Sequence, residues 1–405
     1  MIDPTTARLP WQRPFSDFSD FDPIALLAAT FEHGDGRDVL VLVDPTDPQD
    51  LPAGRIAPES PAGLGMSRFV EPLRSGGAER LGFGRVRVAA YRRVAGSNLD
   101  FGPEAITENG EVVDLDRDLY PGCGLVLATT EVSATAPLTE AATRHGFRGA
   151  TMHGLNPTIL ATGLAEDHRV VSAAAEALRG RLEGGDAIEL AFEIDTPSGL
   201  RRTEARVDLR GVPLQKSHGV CPPGVPDVAN LPAGEIYATP AGVEGELPLP
   251  VECPAGAGIG VLRFEGGRAV AITHAAGHPD ATAAHAARLA RDPVLGIVGE
   301  LGLGTRCLPP SGADIQDEKI LGTCHVAFGR NDHLGGRVVP GDFTVAHHAA
   351  HEDVLFAPFR DLGIRIVRVR LDRPDDRGGS MTLIEDDRPT DAYLKAAGAP
   401  GSVAS

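Results

Sequence analysis

The last third of the chain holds side chains of the kind that bind metal: His325 within GTCHVAFG, then His351 and Asp353 within AHHAAHEDVLF. Two imidazoles and a carboxylate can hold a divalent ion while leaving coordination positions open, which distinguishes a catalytic ion from a structural one. Alternate residues of an extended strand point to the same side, so His351 and Asp353 can face one ion together. Two further carboxylates stand among glycines and aliphatic residues, Glu235 in NLPAGEIYATP and Glu300 in GIVGELGLGT. Such surroundings read as buried, and a buried carboxylate needs a partner, of which a metal ion is one. Plainer readings exist for each: Glu235 or Glu300 paired with an arginine, His325 as a satisfied core histidine. His347 and His348 compete with His351, while His278 and His285 read as surface positions on or beside an alanine-rich helix.

The elements that must position these residues divide into two textures. The apolar runs at 38–44 (DVLVLVD), 84–91 and 124–129 read as buried strands, with a short helix at 139–145 between connections. That pattern predicts an α/β N-terminal domain over residues 1–152 with a largely parallel sheet. No GxGxxG turn follows the first strand, so a dinucleotide site has no support. Beyond it, NPTILATGLAEDHRVVSAAAEALRGRLEGGDAIELAFEID contains a helix stopped by Gly184 and Gly185, then an alternating strand. TPSGLRRTEARVDLRG reads as a hairpin, GIGVLRFEGGRAVAITHA as alternating strands, and 281–291 as a helix. These predict an α+β C-terminal metal-binding domain over 153–395 and a flexible tail over 396–405. Two domains also suit a chain of 405 residues.

Composition narrows the class. With 42% hydrophobic and 23% charged residues the chain reads as soluble and globular. No run approaches the roughly 20 apolar residues that cross a bilayer, and the start of the chain lacks an export pattern, which predicts a cytoplasmic protein with no membrane partner. A net charge of -18 argues against nucleic acid, whose phosphates require a basic surface. The basic residues are nearly all arginine, with lysine only at Lys216, Lys319 and Lys395, a distribution that reads as compositional bias. Five widely spaced cysteines without a CxxC pair predict reduced thiols, not a disulfide framework or a cysteine-rich zinc site.

Taken in order, NLPAGEIYATP, GELGLG, DEKILGTCHVAFG and the later HxD resemble the motifs of the aminopeptidase T (leucyl aminopeptidase-like) metallopeptidases. PTILATGL resembles the segment near that family's domain junction, and the likeness spans residues 150–360. The resemblance implies five ligands, Glu235, Glu300, His325, His351 and Asp353, holding two divalent ions (Zn, Co or Mn). It implies a two-domain, usually dimeric subunit whose metal-activated water releases an N-terminal residue or cleaves a small amide. Three carboxylates against two dications leave residual Lewis acidity for that task. Glu300 is then both ligand and proton acceptor, and Glu318 and Asp332 are acceptors that orient the metal-bound histidines.

The sequence departs from the peptidases at Asp332, which stands where they carry a tyrosine; an ionised aspartate cannot donate the hydrogen bond of a phenol. The same superfamily includes the 2,5-dihydroxypyridine 5,6-dioxygenases. That likeness implies a single Fe(II) on His325, His351 and Asp353 and a dihydroxypyridine-like substrate. A third reading is a non-catalytic binding protein on the same fold. The leading expectation is thus a metal-dependent hydrolase taking a small molecule or short peptide.

Overall fold

The computed structural model describes residues 8–374, 376 and 378–399. The chain builds a mixed α/β fold of three sheets. In the first, Asp38–Val43 lies between Val86–Ala90 and Cys123–Ala128, all parallel, and Arg148–Thr151 continues the parallel run. The apolar runs read as strands fall here because both faces of a parallel sheet are covered. Val39, Val41 and Val43 enter one core with helix Pro23–Phe31, whereas Leu40 and Leu42 enter another with helix Thr135–His145. That second helix starts earlier than the 139–145 expected, since Pro137 sits in its first turn, where no backbone donor is needed.

A strand from the second half joins this sheet: Asp227–Asn230 pairs in parallel with Arg148–Thr151. Two antiparallel strands, Glu104–Thr107 and Val112–Asp114, close the opposite edge.

The largest sheet has eight strands and is built from antiparallel hairpins. Ala187–Thr196 with Gly199–Asp208, and Gly256–Glu265 with Arg268–Gly277, are the hairpins read from the alternation; the second turns through Gly266 and Gly267, both at positive φ. The expected helix at 281–291 is Pro279–Arg291, begun two residues sooner because His278 caps it by accepting the Asp280 amide at Nδ1.

The third sheet carries the metal-type residues. Its antiparallel order is His351–Phe356, Cys324–Gly329, Val298–Gly304, Glu235–Ala238 and Gln215–Ser217. Its apolar face shares a core with the largest sheet, where the rings of Phe356 and Phe192 lie 4.3 Å apart.

Of the tail expected over 396–405, Ala396 and Ala397 close the helix Asp391–Ala397, capped by left-handed Gly398; residues 400–405 lie outside the described residues. All five cysteines are free thiols. Among the described residues no helix is long and apolar enough to cross a membrane.

Candidate metal centre

Cross-strand partners in an antiparallel sheet share a face. Glu235 opposes Gly304, Tyr237 and His325 both oppose Gly302, Ala327 opposes Glu300 and Asp353, and Gly329 opposes His351. One face therefore presents Glu235, Tyr237, Glu300, His325, His351 and Asp353. The intervening residues send Ile236, Leu301, Leu303, Cys324 and Val326 into the core. Between the candidate ligands the positions are small, and the glycines of GELGLG are there for space: a Cβ on Gly302 would lie 2.0 Å from His325 Cε1, and one on Gly304 2.1 Å from the Ile320 carbonyl oxygen. A register shift between Val298 and Glu300 sets the Glu300 side chain between the two histidines.

Glu300 presents Oε2 to His351 Nε2 at 3.0 Å and Oε1 to His325 Nε2 at 3.5 Å. Asp353 Oδ1 lies 3.5 Å from His351 Nε2, and Glu235 Oε2 3.5 Å from His325 Nε2. Donor atoms about 2.1 Å from one ion lie about 3 Å from each other, the spacing these groups approach. Three overlapping sets of donors converge: Glu235, Glu300 and His325; Glu300, His351 and Asp353; Glu318, His325 and Asp353. His351 Nδ1 donates to the Arg330 carbonyl oxygen at 2.6 Å, which leaves Nε2 as the nitrogen facing the carboxylates. His348, the competing assignment, is held instead by Asp292 at 2.5 Å.

The donor set suits a dication. Glu235, Glu300 and Asp353 outnumber the one ammonium bonded to the cluster, that of Lys319, while burial pushes Glu318 up to about 8 and keeps it protonated at neutral pH. Buried Glu235 Oε2 and His325 Nδ1 have no hydrogen-bond partner. Without an ion the histidines hold protons: burial opposes this for His325, yet its bond to Glu300 and the charges of Glu318, Glu300 and Glu235 push it up to about 10. A divalent cation supplies the same compensation without a proton.

Lys319 is fully buried. Its Nζ donates to Glu235 Oε1 at 2.6 Å and also to Glu318. Although burial would lower its pKa, Glu235 and Glu318 raise it, so the lysine stays charged.

A cavity of about 150 Å³ opens over the cluster. Its walls include side chains the sequence reading did not single out: His153, His218 and His333, with Lys216, Asn230 and Tyr237. His153 follows the strand Arg148–Thr151, and Asn230 ends Asp227–Asn230, so the carboxyl end of the parallel sheet forms part of the wall. Burial, followed by the charge of Lys319, pushes His153 down to about 4. Burial, Glu300 and Glu235 raise Tyr237, which therefore remains a phenol. Lysine's rarity was the available signal: two of the three lysines, Lys216 and Lys319, stand at this site.

Asp332 lies apart from the cluster and does not line the cavity. It accepts from Arg330 Nε at 2.7 Å, and Arg330 also reaches Asp100 and the Asn98 carbonyl oxygen. The cavity instead receives the next residue, His333, whose ring meets His351 edge-on at 5.0 Å. Glu318 joins the donors directly, through His325 and Asp353.

No family model matches the chain, and no curated protein matches it. Among solved structures, the 2,5-dihydroxypyridine dioxygenase of Pseudomonas putida KT2440 is similar over 91% of this chain and 93% of its own. The TM-score is 0.53 at 16% identity. The chain thus shares the fold of an enzyme structure from that group.

Proposed function

We propose that the chain is a ring-cleaving dioxygenase that uses one Fe(II), held by His325, His351 and Asp353, and acts on a dihydroxypyridine-like heteroaromatic. The observation that carries the reading is the buried pair of Lys319 with Glu235, which commits to a lysine a carboxylate that a two-ion centre requires. The fold shared with a 2,5-dihydroxypyridine dioxygenase supports it. So does the cavity volume of about 150 Å³, since an apolar cavity of about that size takes up benzene and a polar one suits a hydroxylated ring.

When bound, Fe(II) supplies a redox-active centre with open positions beside its three protein ligands. The remaining tasks belong to the chain. The Arg330 carbonyl fixes the tautomer and orientation of His351. His153, neutral above about pH 4, is placed to accept the proton of a substrate hydroxyl. Tyr237 keeps its proton and offers a hydrogen-bond donor, the role left open by Asp332. The buried face keeps bulk water from the reacting ring.

One observation favours the hydrolase as a second reading: Glu300 turns one oxygen to each imidazole, as a carboxylate bridging two ions would. The two readings separate on reconstitution. Anaerobically Fe(II)-loaded protein is expected to consume oxygen and bleach the ring absorbance of 2,5-dihydroxypyridine. Turnover of aminoacyl amides by Zn-, Co- or Mn-loaded protein, with no oxygen uptake from the Fe(II) form, would overturn the proposal.

A further inference from the structure

We propose that Lys319 stands in for a second metal ion: with the lysine present the cluster holds one ion, and without it the same residues hold two. This rests on the one-ion reading above and deepens it. Two donor sets share Glu300: one adds His351 and Asp353, the other His325 and Glu235. Among the described residues no lysine or arginine pairs with His325, His351, Asp353 or Glu300, so the proposed ligands His325, His351 and Asp353 are open to one ion. A second ion would have to add Glu235, and that carboxylate is already compensated, because Lys319 Nζ sits 2.6 Å from Glu235 Oε1 and also bonds Glu318.

A second ion on Glu235 Oε2 would share one carboxylate with the ammonium, and like charges so close in a desolvated pocket repel strongly. The residue type fits the role. An ammonium is a compact point charge with three donors, nearer in shape to an ion than the planar guanidinium this chain uses almost everywhere else. Removing Lys319 leaves Glu235 and Glu318 buried without their cation, and Glu235 Oε2 and His325 Nδ1 already lack hydrogen-bond partners. A second dication restores the balance with donors already in place.

The test is metal stoichiometry, read without turnover. Apo protein is dialysed against Co(II) or Mn(II) and analysed for metal per chain, for the wild type, Lys319→Met and Lys319→Arg. The expected result is one ion in the wild type and in Lys319→Arg, and two in Lys319→Met. The second Co(II) should bind at least tenfold tighter in Lys319→Met than in the wild type and should show spin coupling through the shared Glu300. Should Lys319→Met fail to fold, the double variant Glu318→Gln/Lys319→Met also removes the carboxyl that would be left without its lysine and is expected to bind a second ion with Glu235 and Glu300. One ion in the wild type and in the folded variants overturns the role of Lys319 and leaves the oxygenase reading standing. Two ions in the wild type overturn both, and no ion in the wild type does the same.

Discussion

The run HHAAH places two histidines three residues apart in opposite roles. His348 Nδ1 meets Asp292, which also accepts the Thr344 amide at 2.6 Å, and so pins the loop leading into the strand His351–Phe356. His351 meets Glu300 and Asp353 and has its other nitrogen tied to a backbone carbonyl. Replacing His351 with alanine is expected to abolish stoichiometric metal binding, measured by elemental analysis, while the far-ultraviolet dichroism stays that of the wild type. His348→Ala is expected to keep its metal but lose about 2 kcal/mol of stability in denaturant titration, the cost of removing a buried hydrogen bond to a carboxylate. Retention of metal by His351→Ala would remove that residue from the ligand set. The HxD pair was legible because its period of two is a strand property. His153 was not, since it reaches the cavity from the parallel sheet and no local pattern marks it, whereas Tyr237 follows Glu235 at the same period of two and was passed over.

At the level of the element, the site depends on what the strand Val298–Gly304 lacks. His325 lies over Gly302 with no room for a methyl group between them. Gly302→Ala should therefore displace the imidazole of His325 and weaken metal binding about tenfold or more, in the range of other perturbations to ligand orientation. Isothermal titration with Mn(II) checks this, and unchanged affinity would mean that His325 does not bind the ion. Elements buried on both faces or strictly alternating were readable, as with Asp38–Val43 and the hairpin of Ala187–Thr196 with Gly199–Asp208. Asp227–Asn230, with the sequence DVAN, was not: it is short and polar, and only its parallel neighbour Arg148–Thr151 makes it a strand.

Across the whole molecule, the elements are joined by buried polar groups whose protonation matters. His168 opens the helix His168–Leu182, donates from Nδ1 to the Glu166 carbonyl oxygen and accepts the Ala233 amide at Nε2. Burial, with Arg306 nearby, pushes it from 6.5 down to about 3. The unfolded chain thus takes up this proton as pH falls through 6.5, while the folded chain refuses it until about 3. Its stabilising contribution is complete above 6.5 and is lost progressively towards 3, at up to about 1.4 kcal/mol per pH unit. Denaturation midpoints between pH 7 and 4 should fall less steeply for His168→Gln than for the wild type; equal slopes would refute the assignment.

The third sheet adds a consequence for how the chain reaches its native state. All the candidate ligands point one way only because every strand pairs in its observed register, and a slip of a single residue would turn a strand's donors to the opposite face. These strands are drawn from residues 215 to 356, so their pairing closes long loops and forms slowly. An ion present during folding would bind only the correctly aligned sheet, and so would act as a proofreader of strand alignment before it takes part in any reaction.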